Sequence, residues 1–189
     1  MSEYILDHTF NQIVYERDDL NYREFEACTF VNCTFSACNF MDVTFIDCTF
    51  RNCNFNQAQI NHVKFRTVFF NSCRFKDVNF AMCDQLIFQI HFTDCVLDFA
   101  KMYALNLKQC SFVNTSLIAV DFMKANISGV SFSNCDLYRA EFDEANAQKT
   151  DFSTSSNYNI NPELTNIKKA IFSVEGAKGL LSHHHIIVE

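Results

Sequence analysis

Residues 28–40 read CTFVNCTFSACNF. Cys28, Cys33 and Cys38 recur every five residues, in step with Phe30, Phe35 and Phe40. Recurring thiols suit a metal site or a disulfide framework. A recurring pair of one small and one large apolar residue suits a wall. The period outside this stretch decides between them, because fixed repeats define architecture before any local motif does.

Positions that are multiples of five are large and apolar from Phe10 to Phe80, including Phe50 and Phe70. The phase then slips by two residues within 81–86. Counting again from Ile87, the column continues through Phe92, Leu97, Met102, Leu107, Phe112, Phe122 and Phe132 to Phe152. A second column lies two residues before the first. It reads Cys28, Cys33, Cys38, Val43, Cys48, Cys53 and Ala58, and later Ala100, Val120, Ala125 and Cys135. The residue between the columns is usually Thr, Asn, Ser or Asp.

A period of five fits neither a helix at 3.6 nor a flat strand at 2. Two inward residues in every five, separated by a polar one, describe a strand that turns a corner at regular intervals. Such a chain must coil, and each coil buries its apolar face only by stacking on its neighbours.

This pattern resembles the pentapeptide-repeat family, whose motif is Ala-(Asp/Asn)-Leu-X-X. ACTFV, ACNFM, VNFAM, ANISG, VSFSN and RAEFD carry the likeness, from about Phe25 to Phe152. The resemblance implies an all-β solenoid: a right-handed quadrilateral β-helix of pentapeptide repeats with a short C-terminal helix and strand. Four repeats then make one coil, and residues twenty apart stack. About seven coils give a rod of roughly 34 Å at the interstrand spacing. His8, Asp18 and Arg23 occupy small-residue positions, which predicts an irregular first coil.

After Phe152 the period fades, so residues 1–156 are expected to form the solenoid and 157–189 a separate module. Ser173 is placed to N-cap a helix over roughly residues 174–184, with Glu175 near its positive end. Ile186, Ile187 and Val188 read as a short apolar strand. NINPEL followed by helix and strand is similar to the Qnr- and McbG-like branch of the family, which protects topoisomerases. That likeness implies a homodimer through the module, with Leu180, Leu181, Ile186, Ile187 and Val188 in an isologous contact.

Composition limits the function. The chain has 189 residues, a formal charge of −7, 22 Phe, 10 Cys, 3 Gly and no Trp. Such a charge disfavours direct binding to nucleic acid or an anionic membrane. No apolar run approaches a membrane span. The start, MSEYILDHTF, lacks the features of a signal peptide, so the expectation is cytoplasmic, where thiols stay reduced.

Nine cysteines fall in the small inward column and Cys83 at its break. Zinc needs four converging ligands, whereas Cys33, Cys53 and Cys73 would form a ladder. We therefore expect a structural core of Cys28, Phe30, Cys33, Phe35, Cys38, Phe40, Phe50, Phe70, Phe112 and Phe132. No metal, cofactor or catalytic residue is expected, and no enzyme motif appears. The polar feature is acidic: Asp121, Asp136, Glu141, Asp143, Glu144 and Asp151 take outward positions in the last coils. Stacked carboxylates on a rod can imitate duplex phosphates. The resemblance implies DNA gyrase or topoisomerase IV as the partner, protected from a quinolone or microcin-type poison. The alternative is an interaction scaffold with no topoisomerase role.

Overall fold

In the computed structural model, which describes residues 3–36 and 38–184, the chain is a parallel β-solenoid. Four walls enclose a buried apolar centre. Each is named here by the ring it presents in the second coil: the Phe30, Phe35, Phe40 and Phe45 walls. Rungs pair with residues twenty positions away, as in Phe30 with Phe50 and Phe45 with Phe65, and twenty-two away across the phase slip, as in Phe70 with Phe92.

The Phe30 wall carries a seven-stranded parallel sheet: Thr9–Asn11, Thr29–Val31, Thr49–Arg51, Val68–Asn71, Ile90–Thr93, Ser111–Val113 and Phe132–Ser133. Four strands of the Phe45 wall, from Glu3–Leu6 to Lys64–Arg66, form the second sheet. Elsewhere the rungs meet through isolated bridges. The residue between the columns helps explain the difference. Thr at that position, as in Thr29, Thr44 and Thr49, suits an extended strand. Asn or Asp there turns the chain, because its side-chain oxygen accepts the N–H two residues on. Asn54 does so with Asn56 at 3.0 Å, Asn126 with Ser128 at 3.3 Å and Asp151 with Ser153 at 2.8 Å.

Inside the Phe30 wall one aromatic stack runs the length of the rod, through Phe10, Phe30, Phe50, Phe70, Phe92, Phe112, Phe132, Phe152 and Phe172. Successive centroids lie 4.6–5.6 Å apart and planes differ by 4–21°. A second stack joins Tyr15, Phe35, Phe55 and Phe75. Burial of one such ring contributes about 1.5–3 kcal/mol, and offset or edge contacts about 0.5–1.5 more. All ten expected core residues are at most 1% exposed.

The corners use left-handed backbone. Among the described residues, twenty-five that are not glycine have φ between 48° and 63°, including Asn32, Asn52, Asn114 and Asn134. Asn and Asp tolerate that region better than other side chains. Their amides also ladder along one corner: Asn52 Nδ2 donates to Asn32 at 2.7 Å, and Asn134 Nδ2 to Asn114 at 3.2 Å.

Four expectations need correction. The first coil is more regular than His8, Asp18 and Arg23 implied, because Glu3–Leu6 and Thr9–Asn11 pair in register with the second coil. Irregular backbone is confined to residues 16–22, where Asp19 accepts the Glu16 N–H. The two extra residues lie after Asp84, overlapping the end of the expected 81–86 slip, but the inner position after it differs from the one expected. Asp84 still donates its N–H to Val63, while Val68 pairs with Ile90, twenty-two residues on. Phe88, not Ile87, fills the inner position; Leu86 and Ile87 are 87% and 48% exposed.

The ladder also passes the boundary expected at 156. Asn146 bridges Asn166 and Asp151 bridges Ile171, so the 157–171 stretch forms part of a further coil. Finally, the terminal helix is short. Ser173 Oγ accepts the Gly176 N–H at 2.9 Å, but helix α1 spans Lys178–Leu181 and passes into a 3-10 turn over Ser182–His184. Gly176 and Gly179 weaken helix propensity and allow close packing on Tyr158. A Cβ on Gly176 would fall 1.7 Å from the Tyr158 hydroxyl, and one on Gly179 would fall 2.3 Å from the Tyr158 carbonyl. Leu180 packs against the core and Leu181 is 37% exposed. Ile186, Ile187 and Val188 lie outside the described residues.

Candidate protein-binding surface

All ten cysteines are buried and unbridged. Their thiols aim at backbone, not at each other as a ligand set. Cys48 donates to the Phe25 carbonyl, Cys53 to Phe30 and Cys135 to Phe112, at 3.4–3.6 Å. Thr150, Ser155 and Thr165 stand in the same column and donate to the corresponding carbonyls, at 2.6–3.0 Å. The column therefore takes small or medium side chains, and most of those carrying a thiol or hydroxyl hydrogen-bond to the coil beneath.

Burial pushes the Cys48 and Cys110 thiols up to about 12, and those of Cys38 and Cys135 to about 11. In the row Cys53, Cys73 and Cys95, burial raises Cys73, while hydrogen bonding with the Cys73 thiol lowers its two neighbours. All three are 2% exposed or less, which keeps the row away from solvent and reagents. A protonated, inaccessible thiol is neither nucleophile nor metal ligand. Among the described residues, no group of three or more His, Cys, Asp or Glu converges as a metal site.

The outward residues carry the remaining chemistry. Four of the six expected acids share the C-terminal end of the Phe40 wall or its edge. Asp121 and Glu141 are bridge partners one rung apart, with Asp143 beside them and Glu144 at the corner. The other two lie elsewhere. Asp136 bridges Ser116 and Ser156 on the Phe35 wall, and Asp151 bridges Ser131 and Ile171 on the Phe30 wall. One continuous acidic face of all six does not form, because repeats five residues apart face different walls.

Local structure already employs part of this set. The carboxylates of Asp121, Asp136 and Asp151 accept backbone N–H groups from Met123, Tyr138 and Ser153 at 2.8–3.1 Å. Asp136 also accepts from Asn157 Nδ2 at 2.8 Å. Cations interrupt the Phe40 wall: Lys101 precedes Asp121 in its column, and Lys124 reaches Glu144 at 3.7 Å. An exposed pair of this kind contributes at most about 1 kcal/mol. Glu141 and Asp143 are the acids least committed to internal contacts. They line an open depression of about 410 Å³ with Met123, Arg139, Asn159 and Asn161.

Two further outward features lie away from the acids. Leu86 and Ile87 protrude from the bulge. Phe69, 41% exposed, stacks on His91 at 4.9 Å on the Phe30 wall. His91 Nδ1 lies 2.9 Å from Ser111 Oγ, and burial lowers its pKa. The signal for Phe69 was a second Phe beside Phe70, at the position where the repeat normally places a polar residue.

No helix of the described residues is long and apolar enough to cross a membrane. No curated protein matches the chain in sequence. Two trypsin-treated variants of QnrB1, described as a plasmid-mediated fluoroquinolone resistance protein, share its fold. They superpose with TM-scores of 0.56 and 0.52, at 18% identity, over 98% and 100% of this chain and 100% of each of theirs. The profile of the pentapeptide repeat region matches residues 23–85 and 85–162, most of the solenoid. The chain belongs to the pentapeptide-repeat family.

Proposed function

We propose that this protein is a non-enzymatic, Qnr-type partner of a type II topoisomerase, DNA gyrase or topoisomerase IV. It acts in the cytoplasm as a DNA mimic and protects the enzyme from a quinolone or microcin-type poison. The observation that carries the reading is the acidic end of the Phe40 wall. There Asp121 and Glu141 stack one rung apart and Asp143 and Glu144 flank them. Carboxylates repeating along a straight rod present a linear negative charge to a surface that holds DNA by its phosphates. The working set is these four residues, and Asp136 and Asp151 drop out of it.

A gyrase cleavage-protection assay tests the proposal. The native protein should relieve poison-stabilised cleavage, and a Glu141→Lys, Asp143→Lys, Glu144→Lys variant should lose most of that effect while keeping its fold. A native protein that neither relieves cleavage nor alters supercoiling overturns the reading in favour of a scaffold without a topoisomerase role.

In the same proposal two copies join through the 157–189 segment, with Leu180, Leu181, Ile186, Ile187 and Val188 in the contact. Light scattering should report a mass near twice that of one chain, falling to one chain for Leu180→Arg, Leu181→Arg. A monomeric native protein contradicts the dimer.

A further inference from the structure

On the Phe45 wall the C-terminal half is charged oppositely to the chain as a whole. Four stacked repeats form it: LNLKQ from Leu105, ANISG from Ala125, ANAQK from Ala145 and TNIKK from Thr165. Their rungs are joined by the bridges Asn106 to Asn126, Asn126 to Asn146 and Asn146 to Asn166. Together they hold Lys108, Lys149, Lys168 and Lys169 and no Asp or Glu. All four lysines are exposed, and none has a carboxylate within ion-pair distance among the described residues.

Gly129 lies in the middle of this patch. It is the one glycine at a left-handed corner, with φ 77°. Backbone geometry does not require it, since twenty-five other residues take such a φ without being glycine. The residue borders open space: no atom lies within 4 Å of the position a Cβ would take. An open depression of about 510 Å³ is lined by Lys108, Ser128, Gly129, Asn146, Gln148 and Lys149.

We propose that this depression docks a short acidic segment of a partner protein, with the lysines pairing its carboxylates and the Gly129 notch admitting its backbone. The proposal stands independently of the topoisomerase reading. Three rungs separate Lys108 from Lys168, or about 14 Å, which an extended peptide spans in roughly four residues. The footprint excludes a longer polyanion. Toward the N-terminus the same wall turns acidic, with Glu3, Asp7, Glu24, Glu26 and Asp47 against Arg23, Lys64 and Arg66. A nucleic-acid strand continuing along the wall would meet those carboxylates in a chain of net charge −7.

The test uses a fluorescein-labelled hexa-aspartate peptide, with anisotropy read at low salt against a hexa-asparagine peptide and a thymidine hexanucleotide. Hexa-aspartate should bind best. A Gly129→Asp, Lys149→Glu variant should bind it about tenfold or more weakly, because both changes reverse the local potential. Asp already occupies equivalent corners at Asp47 and Asp94, so the fold should hold. Lys64→Glu, on the other half of the wall, should leave binding unchanged. Absent binding, equal binding by the double variant, or tighter binding of the oligonucleotide overturns the proposal. So does salt-sensitive self-association that the double variant abolishes, which would make a second copy the occupant.

Discussion

Phe70→Ala is expected to destabilise the protein by about 3–5 kcal/mol, the range for emptying a buried aromatic site. Phe70 is fully buried and sits near the middle of the nine-ring stack. It stacks on Phe50 at 5.0 Å and Phe92 at 5.2 Å, and meets Phe55, Phe65 and Phe75 edge-on. The backbone ladder on either side holds the rungs apart, so little collapse into the void is available. Solenoid repeats contact only their neighbours, and a gap at this rung weakens the coupling between the two halves. Chemical denaturation followed by circular dichroism should show a lower midpoint and a broader transition. Phe69→Ala provides the control one residue away. That ring is 41% exposed, and its loss should cost under about 1 kcal/mol. Equal effects at the two positions would mean that the inward and outward assignments are wrong.

Cys73→Asp is expected to cost more than about 3 kcal/mol near neutral pH, because it buries a charge without a partner. Cys73 is 1% exposed, and its thiol points at the carbonyl oxygens of Phe50 and Asn71, at 3.6 and 3.3 Å. A carboxylate there faces two carbonyl acceptors and no cation, with only the Cys53 N–H, 3.4 Å from the thiol, as a donor. The folded-state pKa of the new acid is therefore raised above its unfolded value, near 3.9. The penalty should be absent below about pH 4 and grow as pH rises through the unfolded value toward the folded one. Cys73→Ala should cost only about 1 kcal/mol, since Ala58, Ala100, Ala125 and Ala140 fill the same column. Melting curves across pH for both variants check the contrast. A well-tolerated Cys73→Asp would show that the column is wet.

The architecture was legible because the period is one that only a coiling chain satisfies. Alternate small and large apolar residues at intervals of five named the inward positions, and the twenty-residue stack followed. The details that escaped share a cause: one-dimensional patterns do not rank equivalent neighbours. Ile87 and Phe88 are adjacent and both apolar, and only the pairing of Ile90 with Val68 places Phe88 inside. The corners were expected at regular intervals, but the period did not show that Asn, Asp and other residues turn them in left-handed backbone.

The acidic surface was only half legible. Asp121 and Glu141 are twenty apart and do stack, while Asp136 and Asp151 belong to other walls. Reading charge by twenty-residue columns, rather than along the chain, separates the acidic Phe40 wall from the lysine-bearing half of the Phe45 wall. The last coil escaped because Asn157 and Pro162 break the large apolar column before the ladder resumes at Asn166 and Ile171.

The central claim is that the recurring cysteines build the wall and that function lies on the residues between them. Thiol labelling tests it most directly. Reaction with an aromatic disulfide reagent at neutral pH should modify essentially none of the ten cysteines in the native protein, because every thiol is buried out of the reagent's reach. All ten should react after denaturation, and the purified protein should carry no stoichiometric zinc. Rapid labelling of Cys33, Cys53 or Cys73 in the folded protein, or a bound metal released on labelling, would contradict the account.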